Sequence, residues 1–152
     1  MSDFKAALAA RKAALATPES ETLQVSLGDD LITLRFRELP STEWTAICAE
    51  HPPRVDVPLD MNYGYDWHAS ADAAARISVV RVDGDEDIPF EFVEDEKQVV
   101  EVDEWGDLVS VLSSPDLTQV RNLVWELNEF RPGVRTEKAK KALAAKQRQK
   151  SN

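Results

Sequence analysis

Six apolar residues on alternate positions around a glycine turn constrain this chain more than any other feature. Leu23, Val25 and Leu27 share one side of an extended segment, Gly28-Asp29-Asp30 reverses it, and Ile32, Leu34 and Phe36 return on that side. Period-two alternation on both arms of a glycine-bearing turn is a β-hairpin signature. A length of 152 residues with 43% hydrophobic content is enough for one packed domain and not for two comfortable ones.

The flanking chain reads as helical. Asp3 to Ala16 sets Phe4, Leu8, Arg11 and Leu15 on one stripe of an alanine-rich segment, a helix held by propensity more than by packing, and Thr17-Pro18 breaks it. Beyond Leu39-Pro40, Ser41 is placed to cap a helix whose buried stripe is Trp44, Ile47 and Cys48, and Pro52-Pro53 stops it. The stretch from Arg54 to Trp67 is punctuated by Pro58 and Gly64 and carries Tyr63, Tyr65 and Trp67 at every second position, so it reads as an ordered aromatic loop. Ser70 is placed to cap the next helix, with Asp72 at its positive amino end and Ala73, Ala74, Ile77 and Val80 as its apolar face.

Asp103 caps a strongly periodic segment, Trp105, Leu108, Val109 and Leu112, and Ser114-Pro115-Asp116 opens another with the stripe Leu117, Val120, Val124 and Leu127. Arg131-Pro132-Gly133 is expected to close it. The expected architecture is α+β: an N-terminal β-hairpin with a small helical bundle and helix-prone arms at both ends. The division is an N-terminal helical arm over 1–20, a single domain over 21–130 and a basic tail, flexible or helical, over 131–152.

Charge is distributed unevenly. The chain has 28 acidic and 18 basic residues, a formal net charge of −10, which repels duplex phosphate on average and argues against nucleic acid as a general partner. Twelve acidic residues lie between Asp83 and Asp107 against Lys97 alone, and this segment also alternates at Ile88, Phe90 and Phe92 and at Val100 and Val102. A second short hairpin is expected there, with Pro89 confining its strand to an edge. Arg131 to Asn152 carries eight basic residues against Glu137, and its bulky apolar residues are Val134 and Leu143. Such a tail can touch nucleic acid, pair with the acidic region of another copy, or stay solvated.

Catalytic patterns are sparse, and no enzyme is expected. Cys48 and His51 are three apart, within reach of each other on a helix, but a small core thiol beside a helix-terminal histidine is the favoured reading. Asp83-Gly84-Asp85-Glu86-Asp87 places its glycine wrongly for a calcium loop, and the five glycines form no phosphate-binding motif. No catalytic residue, cofactor or metal site is assigned. A single cysteine and the lack of any apolar run near the roughly 20 residues of a membrane span point to a reducing compartment and no membrane. Around Tyr63, Tyr65 and Trp67 the nearby charges are Asp60 and Asp66 against Arg54 and Arg76 and not a basic groove, which favours core packing or a protein anchor over a base-stacking platform.

The run Ile32-Thr33-Leu34-Arg35-Phe36-Arg37-Glu38-Leu39-Pro40-Ser41-Thr42-Glu43-Trp44, followed by Glu50-His51-Pro52-Pro53-Arg54, resembles the tail assembly chaperones of long-tailed phages and prophages of actinobacteria. The similarity continues through Asn62-Tyr63-Gly64-Tyr65-Asp66, Val82-Asp83-Gly84 and Asp103-Glu104-Trp105, covering most of Leu31 to Asn128. The resemblance implies a protein absent from the virion that coats the long hydrophobic tape measure protein, keeps it soluble and recruits tail tube subunits in the cytoplasm of the bacterial host. It also implies that a ribosomal frameshift can yield a longer second product, and self-association is left open. Leu39, Pro40, Trp44, Pro52, Pro53, Tyr63, Tyr65 and Trp67 are the expected partner-binding residues, and they serve equally well as core. The alternative is an acidic inhibitor that mimics nucleic acid through Asp83 to Asp107 and blocks a DNA-binding host protein.

Overall fold

The structure, a computed structural model, describes residues 2–151. Helix α1 (Ser2–Leu15) leads into strand β1 (Ser20–Leu27) and its partner β2 (Asp30–Arg37). Three helices come next, α2 (Ser41–Ala49), α3 (Pro58–Tyr63) and α4 (Trp67–Ser78), before β3 (Val79–Asp83) and β4 (Glu86–Pro89). A two-stranded ribbon, β5 (Phe92–Glu94) and β6 (Val100–Asp103), precedes α5 (Glu104–Val111) and α6 (Ser114–Trp125). A π-helical turn, Glu126–Phe130, joins α6 to the terminal helix α7 (Arg131–Ser151).

The protein is α+β, with a four-stranded antiparallel sheet in the order β1-β2-β3-β4. The register pairs Val25 with Ile32 and Leu23 with Leu34, and β3 returns beside β2 with Val79 opposite Phe36. Gly28 and Gly84 each take φ +62° at the first position of a two-residue hairpin turn. That position needs a positive φ when the turn is to match strand twist, and glycine adopts it without a Cβ clash.

One sheet face is dry. Val25, Leu34, Phe36 and Val79 are buried beneath α4 and α6, which contribute Ala71, Ala74, Ala75, Val120 and Val124, with Leu127 just beyond. Alanines on α4 let its backbone approach closely, and the bulk comes from the sheet and α6. Trp105 of α5 closes one end, edge-on to Phe36 at 6.2 Å and to Phe90 at 5.3 Å. Each fully buried Leu or Phe here contributes roughly 2–3 kcal/mol, so Phe36→Ala is the change most damaging to the core. The opposite face carries Thr22, Gln24, Thr33 and Arg35, and Arg35 pairs with Asp87 at 3.3 Å.

Several local expectations are corrected. The aromatic loop contains a helix, α3, begun by Pro58 and ended by Gly64 at φ +86°. Helix α2 starts after Pro40 with no side-chain cap, so Ser41 is its first residue and not its cap. Asp66, accepting from the Ala69 N–H, caps α4 in place of Ser70, which lies buried one turn further on. Asp72 consequently sits inside α4, where it binds Arg121, and the buried face is Ala71, Ala74, Ala75 and Ser78, leaving Ile77 exposed. Ser113 caps α6, one residue before the expected Ser114. The acidic segment forms two hairpins, β3–β4 and β5–β6, and Pro89 does lie on the edge strand.

The largest correction concerns Arg131-Pro132-Gly133, which does not end the helix. The preceding turn widens so that the Arg131 N–H donates to the Glu126 carbonyl, five residues back. Pro132 then falls in the first turn after the widened ladder, where a missing N–H and the ring are tolerated. The basic tail is helical to Ser151, and its first turn is tied down: Arg131 binds Glu19, Glu21 and Glu126, and Arg135 binds Glu19 and Glu38.

Candidate interaction surface

Two hydrogen-bonded hubs organise the chain around the predicted aromatic residues. Asp60, the third residue of α3, is fully buried and accepts from the Arg54 N–H at 3.0 Å, Arg54 Nε at 2.8 Å, Arg54 Nη2 at 3.1 Å and the Trp67 N–H at 3.3 Å. Its Arg54 partner holds the carboxyl down at about 2. Arg54 also meets Asp66 at 3.3 Å and His68 Nδ1 at 3.4 Å, and burial pushes the His68 imidazole below its usual range. This hub fixes the Pro52-Pro53 corner to the start of α4.

The second hub lies at the π turn. Trp125 Nε1 donates to the Tyr65 hydroxyl at 3.1 Å, and that hydroxyl donates to Glu129 Oε1 at 2.7 Å. Burial and the Glu129 carboxylate raise the Tyr65 phenol well above its ordinary value, so it stays a neutral donor. Asn128, also buried, donates from Nδ2 to the Val124 carbonyl at 2.8 Å and accepts the Leu39 N–H at 2.9 Å. The turn thereby fixes the Leu39-Pro40 corner where β2 passes into α2.

Of the eight predicted residues, Leu39, Trp44 and Tyr65 are core, with Trp44 and Tyr65 only 4% and 6% exposed and packed edge-on at 5.8 Å. Pro40 and Pro52 are exposed and Pro53 is half-buried. Trp67 is half-buried and packs against His68 at 4.2 Å, belonging to the Asp60 hub. Tyr63 alone joins a strong aromatic presentation: it is 40% exposed, 6.1 Å from Tyr65 and 5.4 Å edge-on to Trp125. Trp125 in turn stacks on Phe130 at 6.3 Å, with ring planes 25° apart and Phe130 53% exposed.

Tyr63 and Phe130 face an open groove of about 550 Å³ that Val134 also lines, with Glu129 and Glu137 of one sign and Lys138 and Lys141 of the other along it, and Trp125 backs the two rings. An apolar floor with charges of both signs on its rim is suited to an amphipathic helix laid along it. Trp125, Glu129 and Phe130 are absent from the sequence-based set. On a regular helix, residues five apart point about 140° away from each other, so Trp125 and Phe130 read as unrelated. The π turn brings i and i+5 onto one side, and a widened turn has no clear mark in the sequence beyond Pro132.

The Cys48–His51 pairing does not assemble. His51 Nδ1 lies 2.8 Å from the Ile47 carbonyl, and burial pushes the Cys48 thiol up to about 11, so it is protonated at neutral pH. Among the described residues, no three His, Cys, Asp or Glu side chains converge as metal ligands, and no helix is long and apolar enough to cross a membrane. Comparison of the chain with protein-family models, with curated proteins and with solved structures finds no match in any of the three.

Proposed function

We propose that this chain is a phage tail assembly chaperone, absent from the mature virion, that holds the tape measure protein in soluble form in the host cytoplasm and hands it to tail tube subunits. The observation that carries this reading is the exposed groove at the π turn, where Tyr63 and Phe130, backed by the half-buried Trp125, present aromatic surface that the domain itself does not cover. The order of the strand, Leu-Pro, Trp and His-Pro-Pro motifs along Leu34 to Pro53 supports it. A long apolar helix gains by burying its stripe on aromatic rings, and the acidic hairpins keep the resulting complex charged and dispersed.

Co-expression with the tape measure protein of the same tail module tests this. The tape measure protein is expected to become soluble and to co-purify, and Phe130→Ala or Tyr63→Ala is expected to weaken capture while leaving the circular dichroism unchanged. An insoluble tape measure protein with nothing co-purifying would overturn the reading. Salt-sensitive binding to a basic DNA-binding protein would then favour the nucleic-acid-mimic alternative, since the side chains of Asp83, Asp85, Glu86, Glu94 and Glu101 are exposed on the hairpins.

A further inference from the structure

The charge that separates so strongly along the chain also separates in space. Arg131 and Arg135 at the root of α7 are consumed by Glu19, Glu21, Glu38 and Glu126. Beyond them, Lys138, Lys140, Lys141, Lys146, Arg148 and Lys150 come with no acidic residue after Glu137, and the only ion pair among these described residues is Lys140 to Glu137 at 3.8 Å. Every residue from Glu137 to Ser151 except the half-buried Ala144 is exposed, Leu143 among them.

The two hairpins are the electrostatic complement. Asp87 and Asp103 are matched by Arg35 and Arg76, but among the described residues Asp85, Glu86, Glu91, Glu94, Glu96 and Glu101 have no cationic partner. The β5–β6 ribbon pairs only with itself and exposes Phe92, Val93, Val99 and Val100 beside those carboxylates. Among the described residues, none of the basic side chains of α7 reaches an acidic residue of 83–107 in the same molecule.

We propose that the distal half of α7, from Lys138 to Ser151, docks on the acidic β3–β6 hairpins of a second copy of this chain. Six cations meet an excess of unpaired carboxylates, and Leu143 with its neighbouring alanines covers the apolar side chains of the ribbon. At 1.5 Å per residue the docking segment is about 20 Å long, several times the roughly 4.8 Å that separates the two strands of a hairpin. The two surfaces differ, so the assembly either closes with every surface occupied or stays open with one free surface of each kind at its ends. The docking segment shares Lys138 and Lys141 with the rim of the groove but not its floor of Tyr63, Phe130 and Val134, so Phe130→Ala tests the chaperone reading and Lys146→Glu/Lys150→Glu, outside the groove, tests this one.

The test is sedimentation of the full chain over a concentration series at about 0.1 M and about 1 M salt, between which the Debye length shortens from about 10 to about 3 Å. Concentration-dependent oligomers are expected at low salt, weakened at least about tenfold at high salt. Lys146→Glu/Lys150→Glu and Glu94→Lys/Glu96→Lys each alter one surface at exposed positions and are each expected to be monomeric alone. Mixed together they retain one intact surface apiece, and a 1:1 dimer that grows no further is the expected product. A wild-type chain that stays monomeric at low salt, or oligomers that survive both charge reversals, would overturn the proposal.

Discussion

Asp60 shows how much one buried carboxylate can organise. Four donors converge on its two oxygens, so Asp60→Asn, which removes the charge and turns one acceptor into a donor, is expected to cost about 3 kcal/mol. The carboxyl titrates at about 2 when folded and at an ordinary 3.8 otherwise. Its folded value is depressed, so its contribution is present above the ordinary value and is lost as pH falls through the folded one. Thermal melts between about pH 4 and about pH 2 should therefore show a steeper loss for the wild type than for Asp60→Asn. Parallel slopes would place the acid sensitivity elsewhere. Gly106 is a second residue whose neighbours set the sign of a substitution. A helical glycine usually gains about 1 kcal/mol on becoming alanine, but here the new Cβ would collide with the Asp103 carboxylate. That carboxylate swings aside only by giving up Arg76, which donates to both its oxygens at 2.9 and 3.1 Å, and the Gly106 N–H that it caps. Gly106→Ala is expected to destabilise by about 1 kcal/mol in urea unfolding, and to become neutral or stabilising once Asp103→Ala has removed the obstacle.

At the scale of elements, the π turn decides more than its five residues suggest. Asn128 exists in its present role because the widened turn aims it at Leu39, and Asn128→Ala would leave the buried Leu39 N–H unpaired. The expected cost is about 2 kcal/mol, read from the denaturation midpoint, with slower-exchanging amides lost first around Leu39. The elements themselves were unevenly legible in the sequence. The first hairpin, the stripe of α6 and the Asp103 cap follow directly from period-two alternation, period-3.6 spacing and capping chemistry, and the structure has all three. The errors share a cause: each needed a distant partner to decide between local options. Ser70 and Asp66 are both good caps, and Asp66 wins because the Asp60–Arg54 hub places the chain there. Pro132 reads as a stop unless the ladder before it has already shifted register. The aromatic surface was half visible, since Tyr63 stands out in the sequence while its companions Trp125 and Phe130 meet it only through the turn's geometry.

For the whole molecule, the core and the arms are separable. Every residue of α1 from Asp3 onward is exposed, including Phe4, Leu8 and Leu15, while the buried cluster draws on the sheet and on α2 and α4–α6, with Leu39, Tyr65 and Leu127. Removing residues 1–16 is expected to shift the unfolding free energy by less than about 1 kcal/mol and to leave the denaturant slope nearly unchanged, because little apolar surface is re-exposed. A large loss would mean that α1 packs on the domain in solution.

The π turn has one more consequence, which concerns angular phase. Every residue added to or removed from a helix rotates the downstream chain by about 100°. The wide turn at Glu126–Phe130 sits between a helix locked in the core and a helix that is tied at its root and exposed from Glu137 onward. Deleting one residue there would swing the basic arm to a different compass bearing, with Val120 and Val124 still buried, but at the cost of the Asn128–Leu39 bond and the Arg131 ion pairs. A chain built this way sets the direction in which it reaches by one turn, and the same turn is bolted to the fold through Asn128 and Arg131.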